Sequence, residues 1–439
     1  MVPISPKRIL LWMLTIALSQ AATMSYSDSV LSQAVKVEIV AQDGKYQLLR
    51  GGKPYVVKGA GINSLDLQSV AAHGGNSVRT WAVDDGLEPA LQLLDRAHAL
   101  DLTVSLCLDI ARERHGFDYN DPVAVELQAE QARSHIIKYR DHPALLTWIV
   151  GNELNFDFTN PKVYDAVNDI SKMIHELDPN HPTTTTLAGF DERALQVIEE
   201  RATDLDFLSF QIYGDLINLP KHIKRTGFDG PYFITEWGAV GHWEVDKTSW
   251  GAPIEDTSSE KANNYSKSYL QVLEPFADQA IGNYVFLWGQ KQEKTPTWYG
   301  LFLGSGEETE VVDVLHHFWN GRWPDNRSPK VGPIQLDQKT AFEDVILNSG
   351  MKYLATIAVE DPDNDPMRYR WEIRAESSSL HVGGDHEEPP DIIHGLIENP
   401  SVAEIILNTP QTSGAYRLFV YVFDDHNHAA HANIPFYVR

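Results

Sequence analysis

Two glutamates stand at the ends of strongly apolar segments of this sequence. Glu153 closes the run ALLTWIVGNE, and Glu236 lies near the end of YFITEWG. Burying an isolated charge is costly, so a carboxylate at the end of a buried segment is paired or placed at an opening. Two carboxylates that face each other across one opening are the groups that cleave glycosidic bonds.

Further polar and aromatic side chains stand at the ends of other apolar runs, namely Asn63, Arg79, Trp81, Asp109, Asn152, Tyr213 and Trp288. Tryptophan rings stack on the apolar faces of sugars. Arg79 and Tyr213 carry donors that can hydrogen-bond a carboxylate and keep it ionised. We therefore predict a catalytic pair, Glu153 and Glu236. The predicted substrate-binding residues are Arg79, Trp81, Asn152, Tyr213 and Trp288.

These side chains require strands that end at one common opening. Between about residue 55 and residue 320, eight short apolar runs alternate with amphipathic, helix-like segments. Runs that are apolar on both faces are typical of parallel strands covered by helices. Eight such units predict an α/β fold, a (β/α)8 TIM barrel, whose active site lies at the carboxyl ends of the strands. The alternative is an open doubly wound sheet, but KGAGIN lacks the G-x-G-x-x-G phosphate turn.

The character of the sequence changes after the barrel segment. Pro324, Pro329 and Pro333 mark a linker, and the short alternating runs that follow predict a small all-β sandwich. The predicted organisation is a signal peptide (1–22), an N-terminal β-hairpin extension (23–50), a TIM-barrel catalytic domain (51–325), a linker (326–333) and a β-sandwich domain (334–439). Because no candidate site residue lies beyond residue 330, we expect a chain that ends near Pro329 to keep its turnover on a short soluble substrate if it stays folded.

The first residues have the pattern of a secretory signal peptide. Lys7 and Arg8 precede an apolar run over residues 9–18, and small residues follow in SQAATMS. This pattern predicts cleavage near Ala21 or Ala22 and a secreted or periplasmic protein. The apolar run is short for a bilayer span and no later run is suitable, so no integral membrane span is predicted.

The charge balance restricts the class of partner. The formal net charge is −25, from 36 basic and 61 acidic side chains. An acidic surface repels phosphate backbones, so we expect no nucleic-acid partner. It also disfavours acidic polysaccharides, which leaves a neutral carbohydrate as the expected substrate. Cys107 is the single cysteine, so no intrachain disulfide can form.

Two polar segments have the composition of metal sites. In DPDNDPMRYRWE, Asp361, Asp363 and Asp365 have the spacing of a calcium loop. Glu372 stands at the twelfth position, but Pro366 replaces the glycine that an EF-hand needs at the sixth. DDHNHAAH contains three histidines without the clean set of ligands that zinc requires. We predict a hairpin turn in the first segment, a polar strand turn in the second, and neither a metal nor an organic cofactor.

The barrel segment resembles the retaining glycoside hydrolases of the large (β/α)8 clan, and most closely the TIM-barrel domain of glycoside hydrolase family 2. The motifs are GNE (151–153), ITEWG (234–238), NSVRTW (76–81) and LWG (287–289). The resemblance implies Glu153 as acid/base and Glu236 as nucleophile. Gln211 stands where members of the clan often carry a histidine, two residues before Tyr213.

Three functions fit these observations, and the sequence leaves the sugar, the linkage, exo or endo action and the oligomeric state open. The first is a secreted retaining β-glycoside hydrolase that acts on a neutral β-linked oligo- or polysaccharide. The second is a transglycosylase, similar to a β-glucanosyltransferase, which uses the same residues with a sugar acceptor in place of water. The third is a non-catalytic glycan-binding protein, because barrel folds host many functions. The paired glutamates favour an enzyme, since a pure binder does not need them.

Overall fold

The computed structural model describes residues 33–62, 66–84, 88–379 and 383–439. The predicted signal peptide and the strand-end residue Asn63 lie outside the described residues. An antiparallel sheet opens the described chain, with strands Val37–Gln42 (β1), Lys45–Arg50 (β2) and Lys53–Pro54 (β3). Asp43 and Gly44 connect β1 to β2 with φ angles of 53° and 77°, as a tight two-residue hairpin turn requires.

Eight parallel strands close into a barrel, which confirms the predicted fold class. In chain order they are Val57–Ile62 (β4), Ser77–Arg79 (β5), Thr103–Leu108 (β6), Leu145–Asn152 (β7), Thr183–Ala188 (β8), Leu208–Gln211 (β9), Tyr232–Trp237 (β10) and Ala280–Trp288 (β11). β11 pairs with β4, so the barrel has no open edge. The strands are buried almost throughout, as expected for a parallel sheet covered by helices.

The helices of the barrel alternate with the strands, as the periodicity predicts. They span Leu67–Ala72 (α1), Ala90–Ala99 (α2), Pro122–Tyr139 (α3), Lys162–Leu177 (α4), Glu192–Arg201 (α5), Leu219–Thr226 (α6), Ser258–Ser268 (α7) and Glu310–Asn320 (α8). Local chemistry sets their starts. The Asp121 side chain accepts hydrogen bonds at the start of α3, and Thr257 forms a capping box with Glu260 at the start of α7. None of the described helices is long and apolar enough to cross a membrane.

The N-terminal hairpin packs against the amino-terminal end of the barrel. Val37 of β1 and Leu48 of β2 belong to one buried cluster with Leu146, Phe233 and Tyr284 of the barrel strands. The hairpin covers the end of the barrel that lies opposite the carboxyl ends of the strands, so it stabilises the barrel without entering the site.

Two four-stranded sheets form the C-terminal part. The chain continues through Lys330–Val331 (β12), Gln335–Leu336 (β13), Ile346–Leu347 (β14), Lys352–Thr356 (β15), Val359–Glu360 (β16), Arg368–Ala375 (β17), Ile397–Glu398 (β18), Glu404–Asn408 (β19), Gly414–Phe423 (β20) and Ala429–Val438 (β21). One sheet has the order β13-β15-β19-β18 and the other β14-β21-β20-β17, while β12 pairs with β16. Their inner faces share one apolar cluster, which confirms a β domain after the barrel.

The β domain is joined to the barrel by buried polar contacts. Residues Gln33–Arg439 form one compact unit. Lys261 of α7 pairs with Glu255 at 2.6 Å, and the same carboxylate accepts a 2.7 Å hydrogen bond from Asn433 of β21. Arg417 of β20 donates to the carbonyl of Pro253 at 2.7 Å. Desolvated charges of this kind depend on their partners, so the two parts stabilise each other.

We therefore expect a chain that ends at Pro329 to be strongly destabilised. Truncation removes Asn433 and Arg417 and leaves Glu255 and Lys261 at a new surface, where several buried interactions are lost at once. Thermal unfolding followed by circular dichroism should show a midpoint on the order of 10 °C below that of the full chain, or aggregation. A truncated chain with an unchanged midpoint would contradict this and restore the expectation drawn from the sequence.

Candidate active site

The side chains of interest meet at the carboxyl-terminal rim of the barrel. Arg79, Asn152 and Gln211 are the last residues of β5, β7 and β9, and Glu236 is the penultimate residue of β10. Parallel strands in a closed barrel end on the same side, so residues that are far apart in sequence converge there. Asn152 and Glu236 are almost fully buried, whereas Glu153, directly after β7, is partly exposed to a cleft.

Three donors hold the carboxylate of Glu236. Arg79 Nη1 and Trp81 Nε1 donate to Oε1 at 2.8 and 2.6 Å, and the Tyr213 hydroxyl donates to Oε2 at 2.6 Å. Both carboxylate oxygens therefore act as hydrogen-bond acceptors. This arrangement fixes the group in one orientation in the cleft, which Glu236 lines.

Asn152 is oriented by the same arginine. Its Oδ1 accepts hydrogen bonds from Arg79 Nη2 and from Gln211 Nε2, both at 2.7 Å. Because donors converge on Oδ1, the amide NH2 group is left to face the cleft, which Asn152 lines. Gln211, the residue that departs from the pattern of the resembling clan, thus acts on Asn152. No local motif predicts this contact of Gln211.

Glu153 occupies a strained backbone position. Its φ angle is 51°, and Gly151 before it has φ 80°. A Cβ atom at Gly151 would lie 2.5 Å from Leu154 Cδ1, so only glycine fits there. The Glu153 amide donates to Thr186 Oγ1 at 3.0 Å, which holds the turn. Non-glycine residues with positive φ concentrate at functional sites, and here the turn directs the residue after β7 into the cleft.

The surroundings of Glu153 favour its protonated form. Burial raises the pKa of its carboxyl group to about 8, and the negative charge of Glu236 acts in the same direction. The cations Arg79 and Arg112 oppose the shift to a smaller degree. Two carboxyl groups in one site thus differ in role. Glu236 is held by donors as an acceptor, and Glu153 retains a proton near neutral pH.

The prediction for Trp288 requires a correction. Trp288 is fully buried behind the barrel wall, where its ring stacks on Trp319 with centroids 5.6 Å apart and its Nε1 donates to Ser69 at 3.2 Å. The ring of β11 that lines the cleft is Phe286, which contacts Trp81 and Tyr213 with centroids 5.7 Å apart in each case. A regular strand would place both rings on the same face, because they are two positions apart. The pairing of β11 with β4 is irregular between Val285 and Trp288, and this irregularity separates the two rings.

The loops after the strands contribute one exposed aromatic ring. Trp243 lines the cleft, is 55% exposed and contacts Tyr213 with ring centroids 5.7 Å apart. Trp298 is buried and donates to the carbonyl of Val240 at 2.9 Å, so it supports the loop. Trp250 contacts Tyr437 of the β domain. Among these loop tryptophans, Trp243 is therefore the one placed to meet a ligand.

The cleft has a wall that the sequence did not indicate. Its volume is about 1580 Å³, and the β domain contributes Arg370, Glu372 and Arg374 of β17, Tyr421 of β20 and residues 383–387 and 389 to its lining. Arg114 of the barrel holds this wall with a bidentate ion pair to Asp385, at 3.0 and 3.2 Å. The β domain therefore contributes to the lining of the cleft, although all of the predicted site residues lie in the barrel.

A second carboxylate anchors the same wall. Glu387 accepts a 3.0 Å hydrogen bond from Gln292 and a 3.2 Å bond from the backbone amide of Lys294. Both donors lie in the loop that follows β11. The residues of the wall and their barrel partners are separated by 93 to 271 positions in the sequence, so no local motif indicates the contact.

The barrel fold is shared with glycoside hydrolases of known structure. A β-glucuronidase from Bacteroides uniformis is 15% identical over 92% of this chain and 48% of its own, with a TM-score of 0.51. A β-D-glucuronidase from Dictyoglomus thermophilum is 18% identical over 67% of this chain and 54% of its own, with a TM-score of 0.50. A glycoside hydrolase family 5 mannosidase from Rhizomucor miehei is 15% identical over 66% of this chain and 97% of its own, with a TM-score of 0.47.

The likeness to the two β-glucuronidases supports the fold and does not establish the activity of this chain. The chain spans about half the length of the two β-glucuronidases. It matches no family model and no curated protein. The chemistry therefore has to be argued from Glu153, Glu236 and the side chains that hold them.

Replacing Glu153 by glutamine should stabilise the protein increasingly as pH rises. The folded carboxyl group has a pKa of about 8 against an ordinary value of 4.5. Between these values the folded state keeps a proton that the unfolded state releases, so the wild-type free energy of unfolding falls as pH increases. Glutamine does not titrate, so the free energy of unfolding of E153Q lacks this pH dependence. Thermal unfolding should show an advantage for E153Q that is small at pH 5 and grows by about 1–3 kcal/mol by pH 8.

The matched control is Glu126, an exposed residue of α3. E126Q should differ little from the wild type at either pH, because surface substitutions usually change stability by less than about 0.5 kcal/mol. An E153Q advantage that stays constant from pH 5 to pH 8 would show that the pKa of Glu153 is not raised.

Proposed function

We propose that this protein is a retaining β-glycoside hydrolase that acts on a neutral β-linked oligo- or polysaccharide. The observation that carries the proposal is the asymmetric pair of carboxyl groups. Glu236 is fixed by three donors, and Glu153 has a pKa of about 8 in the same cleft. A retaining mechanism needs one ionised carboxylate and one protonated carboxylic acid on either side of the scissile bond.

In the first step, the Glu236 carboxylate attacks the anomeric carbon and forms a glycosyl ester. The bond from that carbon to the leaving oxygen breaks, and Glu153 transfers its proton to that oxygen. In the second step, Glu153, now ionised, takes a proton from water, and the water oxygen attacks the anomeric carbon. The ester bond breaks, Glu236 leaves as a carboxylate and Glu153 is again protonated.

The surrounding groups support this assignment. Arg79 Nη1 neutralises Glu236 before attack, and its other amino group orients Asn152. The Asn152 amide NH2 is placed to donate to the sugar 2-hydroxyl, a hydrogen bond that strengthens in the transition state. Trp81, Phe286 and Trp243 line the cleft with aromatic surface, which suits the apolar faces of sugar rings.

The charges of the cleft favour a neutral sugar. Arg114 pairs with Asp385, and Lys291 pairs with Glu293 at 2.7 Å. Arg370 and Arg374 both pair with Glu372 at 3.1 Å. These cations already have carboxylate partners within the lining. An acidic sugar would have to displace those carboxylates before it could pair with the cations.

The proposal also includes the export of the protein from the cell. The first 22 residues carry the basic, apolar and small-residue pattern described above. We propose a secreted or periplasmic enzyme, which fits a polymeric substrate outside the cell. N-terminal sequencing of the exported protein should give a start near residue 22 or 23.

Alanine variants of the two glutamates should give azide products of opposite configuration. With an aryl β-glycoside whose leaving group needs no proton, E153A should still form the glycosyl ester and then stall, because no base activates water. Azide needs no base and should release a β-glycosyl azide. E236A cannot form the ester, so azide should attack directly and give the α-azide. Proton NMR of the anomeric signal measures both outcomes.

The wild-type enzyme is the reference in the same assay, and its first product should be the β-anomer. Initial release of the α-anomer would show inversion and contradict the mechanism. Exchanged azide configurations would reverse the roles of Glu153 and Glu236. If neither variant lost activity, the site would lie elsewhere, and the glycosidase proposal would fail at these residues.

The ion pair between Arg114 and Asp385 should affect substrate binding more than chemistry. D385N removes the charge that holds the wall to the barrel and leaves the catalytic pair untouched. We expect KM for a β-linked oligosaccharide to rise about two- to tenfold while kcat changes less, since a partly exposed ion pair contributes on the order of 1 kcal/mol. Steady-state kinetics measures the two constants.

The control is E398Q, which breaks the 2.6 Å pair with Lys352 in the other sheet of the β domain. Glu398 is absent from the lining of the cleft, so KM should stay at the wild-type value. A D385N enzyme with unchanged KM, or with a loss confined to kcat, would show that the wall does not bind substrate.

A further inference from the structure

Three aspartates from two loops of the β domain come together next to the barrel. One carboxylate oxygen from each of Asp361, Asp365 and Asp424 lies within 4.8 Å of the other two. Asp361 and Asp365 belong to the loop between β16 and β17, and Asp424 directly follows β20. The predicted hairpin turn is wrong here, because β16 pairs with β12 while β17 pairs with β20. The loop therefore crosses from one sheet to another.

Two buried oxygen atoms at this place lack a hydrogen-bond partner among the described residues. Asp361 is 8% exposed, and its Oδ1 accepts from the amides of Asp363 and Asp365, both at 2.9 Å. Its Oδ2 is buried and has no such partner. The same holds for Oδ1 of Asn326, whose Nδ2 donates to Asp365 at 2.6 Å. A buried oxygen without a donor is costly, so these atoms indicate a ligand.

Two histidines and one arginine lie near the cluster. His426 Nε2 lies 3.7 Å from Asp365, and His428 Nδ1 lies 3.1 Å from Asp424. The guanidinium of Arg327 lies over the ring of Trp323 and pairs with Asp313 at 3.3 Å. Three carboxylates close together repel one another, and a divalent cation would remove that repulsion.

We propose that Asp361, Asp365 and Asp424 bind one calcium ion, with Asn326 Oδ1 as a further oxygen ligand. Calcium takes oxygen ligands at about 2.3–2.6 Å. Two oxygens bound to the same ion are then at most about 5 Å apart, which matches the cluster. Magnesium requires shorter and more regular distances, and zinc prefers nitrogen and sulfur ligands. Glu372, which the sequence pattern placed in the same loop motif, instead faces the cleft.

The position of the site gives it a structural role. Asn326 lies between α8 of the barrel and β12, whereas the three aspartates belong to loops of the β domain. The turn after β20 already bonds to the barrel loop, because Glu308 donates its amide to the carbonyl of Asn427 at 2.9 Å and accepts from the amide of Ala429 at 2.7 Å. An ion here would fix this turn and the β16–β17 loop against the end of the barrel. It would thereby stabilise the domain that forms the cleft wall.

The test uses the full chain, stripped with EDTA and returned to CaCl2. Isothermal titration calorimetry should find one calcium per chain, and thermal unfolding should shift upward by several degrees in 1 mM CaCl2 but less in 1 mM MgCl2, because binding to the folded state stabilises it. D361N and D365N should lose both the binding and the shift. In EDTA, their unfolding midpoints should equal or exceed that of the wild type, since each substitution removes one repelling charge.

D425N is the matched control, because Asp425 neighbours Asp424 but pairs with Arg368 at 3.2 Å. It should bind calcium and shift as the wild type does. Absence of calcium binding to the stripped wild type would overturn the proposal, as would undiminished binding to D361N and D365N. Midpoints in EDTA that fall well below the wild type would point to a purely structural cluster. These readouts do not involve catalysis, so they test the site independently of the proposed activity.

Discussion

The buried guanidinium of Arg79 is the interaction on which the candidate site depends. It is inaccessible to solvent and donates to both Glu236 and Asn152. A charge in such a place is stable only with a partner, and removal of one partner from a buried pair costs about 3–5 kcal/mol. The barrel supplies these partners because β5, β7 and β10 end at the same level. Arg79 thereby helps to orient both the Glu236 carboxylate and the Asn152 amide.

The protonation of the second carboxyl group, that of Glu153, has a different physical cause. The pKa of the Glu153 carboxyl group rises because it lies in a poorly solvated cleft next to Glu236. The strained turn at Gly151 and Glu153 places it there. The donors thus stabilise negative charge on Glu236, whereas Glu153 keeps its proton near neutral pH. Differences in surroundings, and not in residue type, separate the roles of the two glutamates.

The β domain contributes to the cleft as well as to stability. Its sheet of β14, β21, β20 and β17 faces the barrel, and the ion pair between Arg114 and Asp385 holds residues 383–387 beside the substrate-binding side. Buried pairs such as Glu255 and Lys261 extend the interface away from the cleft. A domain that the sequence suggested as separable is therefore part of the wall of the cleft.

The sequence by itself determined the barrel, because apolar runs of strand length alternating with amphipathic helices admit few other arrangements. It also located Glu153, Glu236, Arg79, Trp81, Asn152 and Tyr213 at one rim, since parallel strands end on the same side. It did not determine which ring of β11 faces the cleft, because Phe286 and Trp288 would share a face in a regular strand and only the irregular pairing of β11 with β4 separates them. Nor did it reveal the role of Gln211, the wall around Asp385 or the grouping of Asp424 with Asp361. These contacts join residues that are distant in sequence, and only tertiary packing brings such residues together.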